Sequence, residues 1–217
     1  IDNSSGTTIL GNFIGLAASG SAALGNAQSG IGLYGSTTGT TVGGASANAR
    51  NVVSGNSANG IVLGGSAGNT VLGNYIGTNA SGNATLGNAQ SGIHLLNAGA
   101  NTIGGTAANA GNVIAGNLGH GIYFEKSSGS LVQGNYIGVN AAGNDVLPNQ
   151  MNGVFLYDHS NENTIGGNTE AARNVISGNT GVGVQVQSSS IDNIISGNSI
   201  GLNPGGTAAM GNGSYGI

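Results

Sequence analysis

The sequence predicts an all-β protein, a single solenoid of about seven coils whose strands form three parallel sheets. Three observations carry that expectation. A unit recurs about every 62 residues, apolar residues alternate with period 2 inside it, and Gly and Asn stand where most proteins carry charge. Gly accounts for 45 of the 217 residues, against three Lys+Arg and seven Asp+Glu. Such a bias often marks disorder. Here Ile, Val and Leu return on a fixed schedule and mean hydropathy is slightly positive at +0.07, which a disordered chain would lack.

The repeat is read first, because it decides the rest. Gly-Asn recurs in matched contexts, LGNFIG at Gly11, LGNYIG at Gly73, QGNYIG at Gly134 and SGNSIG at Gly197, at spacings of 62, 61 and 63. TTVGG, NTIGG and NTIGG surround Val42, Ile103 and Ile165, and NVVSGN, NVIAGN and NVISGN begin at Asn51, Asn112 and Asn174. A Gly-Ile/Val pair at Gly30, Gly60, Gly92, Gly121, Gly153, Gly183 and Gly216 halves the unit, so the coil is about 31 residues and two kinds alternate. One carries an insert after its third strand, as in Asn79–Asn88. The other carries it between strands two and three, as in Thr106–Gly111.

Each coil holds three short β-type segments, and stacking them predicts three inward columns. The first contains Ile31, Ile61, Ile93, Ile122, Val154 and Val184, with Leu33, Leu63, Leu95, Phe124, Leu156 and Val186 two residues on. The second is Ile9, Val42, Val71, Ile103, Val132, Ile165 and Ile195, and the third is Ile14, Val53, Ile76, Ile114, Ile137, Ile176 and Ile200. Alternation such as Ile93-His94-Leu95 turns one side chain in and the next out. A helix needs period 3.6 and would lose roughly 1 kcal/mol at every Gly. The Asn of Gly-Asn is expected at one corner, Asn12, Asn74, Asn135 and Asn198 in one kind of coil and Asn56, Asn117 and Asn179 in the other. There it would take a left-handed conformation and stack as an amide ladder. Thr8, Thr41, Thr70, Thr102, Ser130 and Thr164 are expected to face out as a β-branched ladder.

The pattern NTIGG…RNVISGN…GI…GN.IG resembles that of bacterial right-handed parallel β-helix repeat proteins of the pectate-lyase-like type, over essentially the whole chain. The resemblance implies the right-handed fold, in accord with the rule for parallel crossovers. It also implies either a part of a large exported surface protein or the core of a polysaccharide-active enzyme, in which the active groove lies on the face of the first strand set. Residues 1–217 read as one β-helix domain. They begin inside a coil and show no capping helix, so a fragment of a longer repeat protein is expected, with end-to-end self-association as the alternative.

Other classes are disfavoured. Net charge is −4, so no basic patch forms for nucleic acid or an anionic membrane. There is no Cys, which removes disulfides and thiol chemistry, and no apolar run long enough to span a membrane. No catalytic constellation, cofactor motif or metal-ligand cluster is predicted. Arg50 and Arg173 fall at equivalent repeat positions and read as loop anchors.

One stretch departs from the bland Gly, Ala, Ser, Thr and Asn exterior. The outward position of the first strand runs Gly32, Val62, His94, Tyr123, Phe155 and Gln185. Two residues on it runs Tyr34, Gly64, Leu96, Glu125, Tyr157 and Gln187, and the next column holds Lys126 and Asp158, followed by His159. The candidate ligand-binding residues are therefore His94, Tyr123, Glu125, Lys126, Phe155, Tyr157, Asp158 and His159. Aromatic faces pack on sugars, and Glu125 beside Asp158 has the residue types of a glycosidase acid–nucleophile pair. Cross-strand packing and a surface ion pair explain the same residues without a ligand. The expected function is a non-catalytic structural or adhesive segment of a secreted or cell-surface bacterial protein. The alternative is a carbohydrate-binding or polysaccharide-active lyase- or hydrolase-like module. A groove walled by the inserts Asn79–Asn88 and Val139–Asn149 would favour the second.

Overall fold

The computed structural model describes all residues 1–217. Twenty short strands wind into a right-handed parallel β-helix, with 3-10 turns at Ala47–Ala49 and Glu170–Ala172 as its only helical segments. The first sheet has six strands: Ile31–Tyr34, Ile61–Gly64, Ile93–Leu96, Ile122–Glu125, Val154–Tyr157 and Val184–Val186. The second has seven, from Thr8–Ile9 to Ile194–Ser196, and the third has seven, from Phe13–Ile14 to Ser199–Ile200. Six complete coils thus follow one that lacks a first-sheet strand.

Every strand pairs in parallel with its counterparts one coil away. In the first sheet Ile61, Ile93, Ile122 and Val154 are in register, and in the second and third Ile103 and Ile114 align with Val132 and Ile137. These inward side chains form one apolar core of 22 buried residues. The predicted columns hold with one exception. Val186 is 38% exposed, because its strand is the last of the first sheet and no coil covers it.

Three polar files hold the corners, one at each. Between the second and third sheets Asn12, Asn51, Asn74, Asn112, Asn135, Asn174 and Asn198 pass an Nδ2–H···Oδ1 bond from coil to coil at 2.9–3.0 Å. Between the third and first sheets Asn26, Asn56, Asn88, Asn117, Asn149, Asn179 and Asn212 do the same at 2.8–3.0 Å. The last corner stacks Asn69, Asn101, Ser130, Asn163 and Asn193. The inner amides of the first two files are satisfied on both ends. Asn74 Oδ1 accepts from the Asn51 backbone and side-chain N–H groups, while its Nδ2 donates to Asn112 Oδ1 and Val42 O.

Two expectations are corrected. Asn74 and Asn117 belong to different corners, and neither is left-handed: the preceding Gly takes that conformation, as at Gly73 (φ 66°) and Gly116 (φ 76°). A Cβ on Gly73 would sit 2.2 Å from Gly44 O, so Gly is required there twice over. Ser130 is buried in the third file rather than outward, and Leu131 takes the place beside Thr102 and Thr164.

The alternating inserts are present. After the third sheet, arms closed by the antiparallel bridges Leu16↔Ala23, Thr78↔Thr85, Val139↔Val146 and Leu202↔Ala209 project in every second coil. Adjacent arms bond to each other, Ala80 N–H to Gly20 O and Ala141 N–H to Gly82 O.

Removing the Asn74 amide strands the two Asn51 donors it accepts and takes one of two donors from Asn112 Oδ1, the backbone N–H of residue 74 remaining. Asn74→Ala is therefore expected to cost about 2 kcal/mol or more in urea unfolding, whereas exposed Asn83→Ala stays within about 0.5 kcal/mol. Ile103→Asp puts an unpaired charge in the sealed column and is expected to unfold the middle coils; an unchanged melting curve would contradict this register.

Candidate functional site

His94, Tyr123, Glu125, Phe155 and Tyr157 lie on three consecutive first-sheet strands, where register brings their outward side chains together, and Lys126, Asp158 and His159 follow just past the strand ends. His94, Tyr123 and Phe155 occupy the same position in successive coils. Their rings stack, His94 on Tyr123 at 4.7 Å between centroids and 14°, Tyr123 on Phe155 at 5.5 Å and 11°. Tyr157, two residues beyond Phe155, tilts against it at 5.5 Å. The column is half-buried, so part of each ring meets solvent.

His120 completes the cluster. It enters from the corner before the Ile122–Glu125 strand, and its ring lies 5.3 Å from Tyr123 and 4.9 Å from Phe155. Beside these rings is a shallow groove of about 290 Å³, rimmed by Leu118 and Met151. Both rim residues are large, apolar and exposed, at 58% and 48%. Sequence reasoning left out His120, Leu118 and Met151 because they precede strands and belong to no alternating run.

The charged residues pair in two separate groups. His94 Nε2–H donates to Glu125 Oε2 at 3.2 Å, one coil away. Across the strand end, His159 Nδ1–H donates to Asp158 Oδ1 at 2.7 Å and Lys126 Nζ to Asp158 Oδ2 at 3.4 Å. Lys126, Asp158 and His159 all have positive φ, of 51°, 51° and 60°. Gly35 and Gly65 fill the Lys126 and Asp158 position in earlier coils, also at positive φ. A left-handed side chain costs roughly 1–2 kcal/mol per residue relative to the right-handed form.

Burial governs the titrations. His120 is pushed down to about 4, by burial first and then by the neighbouring His94. Its neutral state also suits the bond it accepts at Nδ1 from Asn152 N–H, at 3.2 Å. His94 is lowered by burial, against the pull of Glu125. The Tyr123 hydroxyl is pushed up to about 12, by burial and then by the Glu125 charge. Asp158 is lowered, mainly by the His159 hydrogen bond.

The expected groove walls are elsewhere. The arms after the third sheet fold over that sheet's own outward face, not the first sheet's. Gly82 lies against the Tyr75 ring and Gly143 against that of Tyr136, positions where a Cβ would come within 2.8 and 3.2 Å of the ring. The larger cavity of the molecule, about 350 Å³, is on that side and includes Arg50, Tyr75 and Tyr136. As expected of loop anchors, Arg50 Nε–H donates to Gly73 O at 3.2 Å and Arg173 Nε–H to Gly197 O at 3.4 Å.

Three continuous sheets around a sealed apolar core define a right-handed parallel β-helix. Residues 1–142 match the family described as periplasmic copper-binding protein (NosD), and the chain belongs to that family. In structure it is similar to the periplasmic alginate epimerase AlgG, with a TM-score of 0.65 and 18% identity over 90% of this chain and 39% of that one. A double mutant of the epimerase gives 0.58 and 18% over 79% and 36%. The chain spans about two fifths of the epimerase's length, and at this identity the likeness is one of fold. No curated protein matches the sequence.

The family description raises the question of copper. The chain has three His and no Cys, and no group of three or more His, Asp or Glu is placed to hold an ion. His94 and His120 pack on the Tyr123 ring with one nitrogen each already bonded, and His159 pairs with Asp158. This donor set does not fit a resident copper centre. No helix is long and apolar enough to cross a membrane.

The lowered His120 and His94 make stability pH-dependent. Above pH 6.5 both rings are largely neutral in the folded and unfolded chain, and the contribution is constant. As pH falls from 6.5 towards 4 the unfolded chain takes up protons that folded His120 refuses, so stability drops by up to about 1.4 kcal/mol per pH unit. Urea unfolding at pH 7 and pH 5 measures this. His120→Asn should shrink the difference between the two, and an equal difference would show that the imidazole is not its source.

Proposed function

We propose that the chain is a non-catalytic, adhesive β-helix segment that acts outside the cytoplasm and holds polysaccharide on the outward face of its first sheet. The observation that carries this reading is the ring column His94–Tyr123–Phe155, in register on three strands and bordered by a groove with exposed apolar rims. The stacked rings cover one another's faces and turn their edges to solvent at strand spacings of about 4.8 Å, a strip beside the groove along which an extended glycan can lie. Leu118 and Met151 add exposed apolar surface beside the column.

The left-handed Lys126, Asp158 and His159 lend support. Backbone positions that favour Gly keep charged side chains only in this stretch and the coil after it, and strain of that kind gathers at functional sites. Glu125 and Asp158 are each held by their own partners, which suits fixed polar contacts around a bound sugar better than an acid–nucleophile pair. The extracytoplasmic placement draws on the family description and on AlgG, both periplasmic by name, and a polysaccharide partner on AlgG's being an alginate epimerase.

A glycan array read with wild type and with the Tyr123→Ala/Phe155→Ala double variant tests the reading. The variant is expected to lose about tenfold or more of any glycan affinity, on the scale of two stacking contacts. If it binds as wild type does, the column is packing and the proposal fails.

A further inference from the structure

The third sheet carries a second site, on a face that the reading above does not use. Its outward column runs Phe13, Val52, Tyr75, Val113, Tyr136, Val175 and Ser199 in register. Aromatic rings therefore recur in every second coil, about 9.6 Å apart at two strand spacings. Both kinds of insert flank this column. The arm holding Ala141 borders it from one side, and the Thr106–Gly111 insert and the Arg50 loop from the other. Between them lies the cavity of about 350 Å³, with Tyr75 and Tyr136 among its lining.

Arg50 supplies the only charge in that lining, which contains no Asp or Glu. Its guanidinium lies over the Tyr75 ring, 4.0 Å from the centroid, and its Nε is tied to Gly73 O. Ring and carbonyl fix the plane of the guanidinium, while neither terminal Nη makes a hydrogen bond or ion pair within the protein. A half-buried, pre-oriented guanidinium with two free N–H-bearing nitrogens is a fork for a carboxylate. Two coil pairs on from Arg50, Arg173 borders with Tyr136 a smaller cavity of about 220 Å³, where Glu170 offsets the charge.

We infer that this groove binds an acidic polysaccharide, with the carboxylate of one uronate unit on Arg50 and a sugar ring against Tyr136, where Gly111 stands at the repeat position of Arg50 and leaves the ring uncovered on that side. A neutral glycan would leave the Arg50 fork unused. Phosphate or sulfate alone would not use the Tyr136 ring.

Calorimetric titration with an oligogalacturonate hexasaccharide and its carboxyl-reduced neutral counterpart tests the inference. Wild type is expected to bind the acidic oligomer more tightly than the neutral one, and Arg50→Gln to lose roughly 10–100-fold of the acidic affinity, the range for a charge-assisted pair. Thr106→Glu leaves the Arg50–Gly73 anchor in place and sets a carboxylate at the rim, so it should weaken acidic binding similarly with an unchanged melting curve. No acidic binding, equal affinity for the two oligomers, or wild-type affinity in both variants would overturn the inference. Tyr123→Ala/Phe155→Ala should leave the acid-over-neutral preference unchanged and Arg50→Gln should abolish it, so the two readings fail separately.

Discussion

The amide ladder is the contact on which this structure depends. A coil turns three corners, and each corner takes backbone N–H and C=O groups out of sheet pairing while keeping them from water. Asparagine solves this locally. Its carboxamide has the donor and acceptor of a peptide group, so a stack of them continues the hydrogen-bonded ladder through the bend. In the two full files every coil contributes one Asn, and each inner amide bonds to its neighbour above and to a backbone carbonyl below. A polar residue sealed at the corner is costly unless satisfied, and here satisfaction requires the next coil. Corner, coil spacing and register are thereby fixed together.

Near-absence of charge follows from that arrangement. Seven coils with the same backbone path stack like residues on like, and a charge repeated in every coil would repel itself at about 4.8 Å. Amides, hydroxyls and β-branched side chains stack without that penalty. Where an outward column does change composition from coil to coil, charges pair across it, as His94 does with Glu125 and Lys126 with Asp158, and the other charges stand in inserts and turns. Because inward positions and corners carry the stability, outward positions are free to differ between coils, and specific chemistry can be placed on the rod without altering its path.

What the sequence discloses follows the same division. Inward columns are legible because Ile, Leu and Val alternate with period 2 and return at a near-constant interval, and the outward column His94–Tyr123–Phe155 follows from them by register. The corners are less legible. Along the file through Asn51 and Asn74 the steps alternate between about 23 and 39 residues, because an insert falls inside every second step. Along the file through Asn56 and Asn88 they stay near 31. Both files carry Gly-Asn, so the dipeptide alone assigns Asn74 and Asn117 to one corner when they occupy two. The direction in which an arm folds is not written as a period at all. It depends on Gly82 and Gly143 having no Cβ where the Tyr75 and Tyr136 rings lie, seven residues back, a contact that no alternation or repeat marks.

The two outward aromatic sets differ in a way that bears on what each face does. The first-sheet column occurs once, in three successive coils, and combines His, Tyr and Phe with paired charges. It has the character of a local site. The third-sheet set follows the 62-residue unit, ring after ring at Phe13, Tyr75 and Tyr136, with Arg50 and Arg173 at equivalent places in the inserts alongside. Packing of the arms accounts for the rings, since each arm lies on one. It does not account for a guanidinium fixed in plane with its outer nitrogens free, which a Lys or Gln at the same place would not reproduce. That arrangement occurs once, because Gly111 stands in the next copy and Ser199 takes the Tyr75 position beside Arg173, so this face too is specialised at one place along the rod.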